Sequence, residues 1–206
     1  MIKKKIVLIG SGGHARSCIQ VIEELEEFSI LGLIGLPNEV NSEKFGYKVI
    51  GSDSDLPAIR KSIEHAVITV GQILNPEIRV NLFEKAEAAG FLLPTIISKS
   101  AQISSHTTIG KGCMIMNGVI INSGAQIGQN CIINTRALIE HDVVVGDHSH
   151  VSTGVIVNGA TRIGSKTFIG SGSIIRNGLT IGDNCLVGMG AVVVKDLKDN
   201  SREIGS

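Results

Sequence analysis

Every sixth residue from Ile97 to Val193 is isoleucine or valine: Ile97, Ile103, Ile109, Ile115, Ile121, Ile127, Ile133, Ile139, Val145, Val151, Val157, Ile163, Ile169, Ile175, Ile181, Val187 and Val193. A helix of period 3.6 gives no such comb, and a hairpin sheet drifts out of phase at its first turn. A second comb stands two residues before each member of the first from Ala101 onward and includes Thr107, Cys113, Val119, Ala125, Cys131, Ala137 and Val143, nearly all small or slim. Residues two apart on an extended chain face the same way, so both combs point inward. The segments between them, such as Gly110-Lys111-Gly112, Gly128-Gln129-Asn130 and Gly182-Asp183-Asn184, suit tight corners. Three such sides close a triangular coil of eighteen residues, and stacked coils make a parallel β-helix, expected over 95–198.

The residue between the combs points outward and distinguishes three faces. One column reads Gln102, Ile120, Leu138, Ile156, Ile174, Val192, and a second reads Met114, Ile132, His150, Phe168, Leu186. The third, Thr108, Gln126, Val144, Arg162, Thr180, Lys198, is mostly polar. Two apolar outer faces cannot both be left in water, and a closed ring in which each subunit meets two neighbours buries both, so a homotrimer is expected. Cys113, Cys131 and Cys185 fall in one inward column with Ser149 and Thr167, which makes them packing residues rather than metal or redox groups.

Aromatic residues are only 3% of the chain, so the core is aliphatic. Lys plus Arg and Asp plus Glu both number 19, which offers no long-range field for nucleic acid or an anionic membrane. No apolar run approaches the ~20 residues of a membrane span, and Lys3-Lys4-Lys5 leads into a strand pattern rather than a signal peptide, so membrane insertion is not expected and the protein is read as cytoplasmic. Residues 1–94 read as a separate small α/β domain of Rossmann-like character, and 199–206 as a C-terminal tail. Lys5–Ile9 runs as a buried strand into Gly10-Ser11-Gly12-Gly13-His14-Ala15 and a helix through about Glu27. The G-x-G-x-x-A turn lets a phosphate approach a helix N-terminus, though such a turn also occurs as plain structure. A second strand, about Ile30 to Ile34, ends in Gly35-Leu36 without the acidic residue that a nicotinamide site places there. A strand from about Ala66 to Val70 ends at Gly71, and a helix from about Pro76 to Gly90 follows.

His141 sits at a corner between Glu140 and Asp142, with Asn134 one hexapeptide earlier. A carboxylate on one imidazole nitrogen fixes the tautomer and leaves the other free to accept a proton, although an exposed corner histidine with acidic neighbours has the same sequence. His150 interrupts an apolar column on a face assigned to subunit contacts, where the ring needs a partner that a cofactor between subunits could supply. His148 reads as a solvated corner residue.

The stretch Ile133-Asn134-Thr135-Arg136-Ala137-Leu138-Ile139-Glu140-His141-Asp142, with Gly146-Asp147-His148-Ser149-His150-Val151-Ser152, closely resembles the bacterial sialic-acid O-acetyltransferase family, which includes UDP-4-amino-sugar N-acetyltransferases. The likeness extends to Ile9-Gly10-Ser11-Gly12-Gly13-His14 and to Ile68-Thr69-Val70-Gly71 with Arg79. The resemblance implies a left-handed β-helix trimer, acetyl-CoA as co-substrate between subunits, no metal, and a sugar or nucleotide-sugar acceptor. It implies His141 as general base with Asp142 as its acidic partner, and His150 and the Gly159 backbone at the coenzyme. Asn134 would lie by the acceptor, and Gly12, Gly13, His14 and Gly71 at the substrate end. No cysteine joins this constellation, so direct transfer is expected rather than an acyl-enzyme. Two features depart from the family: Gly35-Leu36 replaces the acidic residues that recognise uracil, and Asn200–Ser206 lacks the glycine-x-proline-alanine-lysine segment found near the coenzyme. The acceptor and the choice of N- or O-transfer stay open. Two other readings of the same coil are a non-catalytic scaffold or sugar-binding trimer and a zinc enzyme of the γ-carbonic-anhydrase kind, whose H-x4-H spacing is not reproduced by His106, His141, His148 and His150.

Overall fold

The computed structural model describes residues 3–203. Its N-terminal part is a five-stranded sheet of β1 (Lys4–Ile9), β2 (Phe28–Gly35), β3 (Glu43–Lys44), β4 (Tyr47–Ser52) and β5 (His65–Ile68), in the order β3-β4-β2-β1-β5. All pairings are parallel except β3 with β4. Strand alternation sends Ile6 and Leu8 to one side, where α1 (Gly13–Leu25) packs with Cys18, Ile19 and Ile22. Val7 and Ile9 face the other side, against Leu56 of α2 (Leu56–Arg60) and Phe83 and Ala86 of α3 (Glu77–Ala88). The predicted strands and helices are present with shifted ends. The tract from 36 to 64, where no periodicity was legible, contributes β3, β4 and α2.

Beyond Pro94 the chain winds as a left-handed parallel β-helix of two-residue strands whose partners lie eighteen residues apart, as in Ile120↔Leu138, Gln126↔Val144 and Ile132↔His150. Both combs line the interior from Cys113 to Leu197. One corner residue in each side adopts positive φ, from Gly112, Gly118 and Gly124 through Asn130, Arg136, Asp142 and His148 to Gly190. For non-glycine residues that conformation costs about 1 kcal/mol each, which the packed comb over-determines. The cysteine column is a ladder: Cys131 N–H donates to Cys113 Sγ (3.3 Å), Thr167 N–H to Ser149 Oγ (3.1 Å) and Cys185 N–H to Thr167 Oγ1 (3.0 Å). Arg202–Glu203 pairs with Leu186–Val187 and adds a strand to one face, while residues 204–206 of the tail lie outside the described residues.

The sequence assigns both apolar columns to contacts between copies, and the structure corrects this for one of them. Met114 and Ile132 are fully buried in the single chain, with Met114 and Met116 joining the same cluster as Ile6, Leu8 and Cys18. The N-terminal domain, not a second subunit, covers that face, because its sheet has an apolar side that α1 alone does not fill. The column Ile120, Leu138, Ile156, Ile174, Val192 is left open, with Ile120, Ile174 and Val192 exposed, and on the covered face Phe168 and Leu186, farther along the coil, are half-buried.

Arg79 fastens the two parts. Its side chain is wholly buried, and its guanidinium donates to the carbonyls of Ile68 (2.8 Å), Val70 (2.8 Å) and, across the junction, Asn130 (3.2 Å). Burial lowers its pKa to about 10, which still leaves the cation intact at neutral pH. Around it, Phe83 packs edge-on against His148 at 5.5 Å, so His148 is half-buried rather than solvated, and its pKa is lowered by that burial. Arg79→Leu should cost roughly 3 kcal/mol or more by stranding three carbonyls, lowering Tm by about 6 °C or more in thermal unfolding. Arg79→Lys should not restore it, since one ammonium cannot reproduce the guanidinium fork.

Candidate active site

Loops at the carboxyl ends of the parallel strands meet the covered face of the β-helix around a cavity of about 990 Å³. In open α/β sheets this is where ligands bind, next to the strand at which the order reverses. Gly10–His14 follow β1, Gly35 ends β2 and Leu36 follows it, Asp53 follows β4, and Thr69–Gln72 follow β5; the coil contributes Asn134, His150, Ser152, Phe168, Ser171 and Met189.

The glycine turn separates into two kinds of position. Gly10 has φ +126°, and a Cβ there would lie 2.7 Å from Val70 Cγ2 and 2.8 Å from its nitrogen, so the protein itself requires glycine. At Gly12 and Gly13 a Cβ would meet nothing within 4 Å. Tight-turn structure explains the first glycine and leaves open space beside the other two, on the cavity wall at the N-terminus of α1. Gly71 lies against the His14 ring, with a Cβ position 3.5 Å from His14 Cβ. Burial first, then the nearby Arg79 charge, lowers the His14 pKa to about 3, so its ring is neutral.

His150 is 5% exposed, beneath the chain's own N-terminal domain. The chain's own domain therefore covers the ring that the sequence placed in a seam between copies, and the ring still lines the cavity. Its Nδ1–H donates to the Gln72 carbonyl (2.5 Å), and its Nε2 accepts from Asn134 Nδ2 (3.2 Å). Burial lowers its pKa to about 4, so the ring is neutral and both nitrogens are committed. Asn134 Oδ1 accepts the Thr135 N–H (2.8 Å), which leaves one Nδ2 hydrogen of Asn134 beyond these bonds.

His141 is elsewhere. It occupies the corner after Leu138-Ile139, on the opposite edge of the open apolar face from Asn134, with 64% of its side chain exposed. Nδ1–H donates to Asp142 Oδ2 (3.0 Å), which turns the lone pair of Nε2 outward. Glu140 Oε2 accepts from Asn122 Nδ2 (2.9 Å), holding the same corner from below. A Cβ on Gly159 would lie 2.6 Å from His141 Nε2 and one on Gly124 2.4 Å from Asp142 Oδ1, so glycines in the neighbouring coils clear the space in which this pair stands. Within one chain the structure thus brings Gly12, Gly13, His14, Gly71, Asn134 and His150 together, and leaves His141, Asp142 and Gly159 as a second group. Among the described residues, no three His, Cys, Asp or Glu side chains gather as a metal site would need.

Two groups on the cavity wall were not singled out from sequence. Glu39 takes hydrogen bonds from Lys44, Ser11 (2.6 Å) and Leu36 N–H (3.0 Å), in that order of effect, and its pKa is held down to about 2. An acidic side chain thus reaches the end of β2 from the turn that follows, where Gly35-Leu36 supply none. Gln72 was hidden because a lone glutamine after a strand carries no pattern.

Residues 5–86 match the family model described as PglD N-terminal domain, and 106–139 and 160–195 that of bacterial transferase hexapeptide (six repeats). Residues 124–158 match the hexapeptide repeat of succinyl-transferase. No curated protein sequence matches. Among solved structures, a histidine-to-asparagine mutant of perosamine N-acetyltransferase from Caulobacter crescentus, in complex with CoA and GDP-perosamine, is 32% identical over 100% of this chain and 95% of its own, with TM-score 0.92. The chain belongs to the hexapeptide-repeat acyltransferases that act on sugars. A further similar structure is the acetyltransferase domain of PglB from Neisseria gonorrhoeae in complex with acetyl coenzyme A, 30% identical over 98% of this chain and 96% of that one, with TM-score 0.89. WeeI from Acinetobacter baumannii shares the fold at 24% identity, covering 98% and 97%, with TM-score 0.86. The whole chain, α/β part and hexapeptide coil together, is thus matched in these structures.

Folded-state pKa values of about 4 for His150 and about 3 for His14 lie below the unfolded 6.5, so below about pH 6.5 the unfolded chain binds protons that the folded chain refuses. Stability should therefore fall as pH drops, by about 2 kcal/mol per histidine at pH 5, and His150→Gln should roughly halve the slope of Tm against pH between 7 and 5. Gly159→Ala should displace the exposed His141 ring without unfolding the coil: Tm within about 2 °C of wild type, with turnover reduced about 100-fold.

Proposed function

We propose that the protein transfers the acetyl group of acetyl-CoA to an amino or hydroxyl group of a nucleotide-linked sugar, at a site shared between two copies of a trimer. The observation that carries this reading is the position of the two half-sites. Asn134 precedes and His141 follows a single strand, Leu138-Ile139, of the open apolar face, so they stand at one height on its two edges. Turning that face of three parallel coils toward a common axis buries Ile120, Ile174 and Val192, and sets the His141 edge of each copy against the Asn134 edge of its neighbour. The relatives' complexes with CoA, acetyl coenzyme A and GDP-perosamine support the two substrate classes.

The N-terminal cavity holds the acceptor, with the open space beside Gly12 and Gly13 for its phosphates and the Gly35, Leu36 and Glu39 end for its base. The groove along Ser152, Ser171 and Met189 receives the pantetheine arm, and the Gly159 main chain lies at the thioester. His141 Nε2 takes the proton from the acceptor amine or hydroxyl as its nitrogen or oxygen bonds to the thioester carbon. Asp142 holds the imidazole in the required tautomer and stabilises the imidazolium that forms. Asn134, held by His150, uses its remaining Nδ2 hydrogen to orient the acceptor. As the C–S bond breaks, the proton on His141 passes to the departing thiolate. All four cysteines are buried and away from the dyad, so direct transfer fits and a cysteinyl intermediate does not.

The test is acetyl-CoA turnover with UDP-, GDP- and CMP-linked amino and hydroxy sugars, followed by thiol release. His141→Asn should lower kcat/KM by ~10² to 10⁴-fold, and Asn134→Ala should also be severely impaired. Refolding those two inactive variants together should restore a substantial fraction of activity, because mixed trimers contain sites with His141 from one chain and Asn134 from the other. Absence of restoration would place the whole site within one chain and overturn the shared arrangement.

A further inference from the structure

Gln72 is 2% exposed and lines the cavity, yet neither Nε2 nor Oε1 of its carboxamide has a hydrogen-bond partner in the protein. Nearly all buried amides in folded proteins are satisfied, and leaving one bare is costly, so such a group on a cavity wall calls for a partner from outside the chain. His14 Nε2, on the same wall, is also buried and unpartnered. The position of Gln72 narrows the choice. Its carbonyl holds His150, whose other nitrogen holds Asn134, so the carboxamide lies at the coil end of the cavity, away from the Gly35, Leu36 and Glu39 end.

We propose that the Gln72 carboxamide determines acceptor specificity by hydrogen-bonding a ring hydroxyl of the sugar, close to the group that is acetylated. This inference rests on the sugar-acetyltransferase reading and adds a residue to it. A hydroxyl both donates and accepts, which suits an amide that offers one oxygen and two N–H groups. A phosphate is a poorer match: Arg79, whose Nε and Nη1 hold main-chain carbonyls while Nη2 is unpartnered, does not line the cavity, and Lys85, which does, is paired with Asp53. A site built around a buried hydrogen-bonding group discriminates strongly against a substrate that lacks the matching hydroxyl.

Gln72→Met keeps the length of the side chain and the main-chain carbonyl that anchors His150, and removes only the polar atoms. In the full-length protein it should leave the Tm of the ligand-free enzyme equal to or above wild type, since an unsatisfied amide is replaced by an apolar group. KM for the acceptor, with GDP-perosamine and a UDP-4-amino sugar as probes, should rise at least about tenfold, while KM for acetyl-CoA stays within about twofold. The wild type should also lose about as much efficiency on a probe deoxygenated at the hydroxyl concerned, and the variant should be indifferent to that change. A fall in ligand-free Tm with unchanged acceptor KM would make Gln72 a structural residue and overturn the proposal. A wild-type enzyme that acetylates none of the sugar nucleotides would instead overturn the sugar-acetyltransferase reading, and this proposal with it.

Discussion

The docking of the α/β domain on one face of the coil is the contact from which the site follows. Ile6, Leu8 and Cys18 of the domain and Ile96, Met114 and Met116 of the coil share one apolar cluster, and burial of that area drives the association. Arg79 sets its geometry, because a buried guanidinium that must satisfy carbonyls on both sides tolerates little displacement. Apolar surface gives affinity between the two parts, and the guanidinium gives register. Once they are locked, the loops after the parallel strands have only one place to point, which is the wall bearing Asn134 and His150.

The same docking changes the role of His150. On the coil alone it is a polar intruder in an apolar column; under the domain it becomes a neutral link between a main-chain carbonyl and the Asn134 amide. Its two nitrogens are occupied, so neither is free to take a proton. His141 is the reverse: exposed, oriented by Asp142, and kept clear by Gly159 and Gly124. One histidine is held by burial and the other by empty space around it.

The β-helix was legible because each side repeats the same small physical demand, an inward Ile or Val and a slim partner two residues earlier, many times over. The His141 corner was legible for a related reason: its partner is the next residue in sequence. What escaped the sequence depends on contacts between distant segments. That the face of Met114 and Ile132 would be covered by the chain's own domain is not written in its period, since an apolar column looks the same whether a domain or a second copy covers it. Glu39 reaches the glycine turn only because the chain reverses after Leu36, and Gln72 stands out only once its surroundings are known to lack a partner. His148 read as a solvated corner because Phe83, sixty-five positions earlier in the chain, left no mark beside it.

The eighteen-residue pairing makes the prism modular in a particular way. Removing one whole coil beyond the site would leave every later side chain on its own face and merely shorten the wall along which a long thin substrate can lie. Removing six residues would keep the inner comb equally intact, yet rotate everything downstream by a third of a turn, carrying the charged flank to where the oily one had been. The interior cannot tell these two deletions apart, and only the exterior can. Length of the prism is therefore free to drift in units of full coils, while its orientation is fixed by what each side must touch.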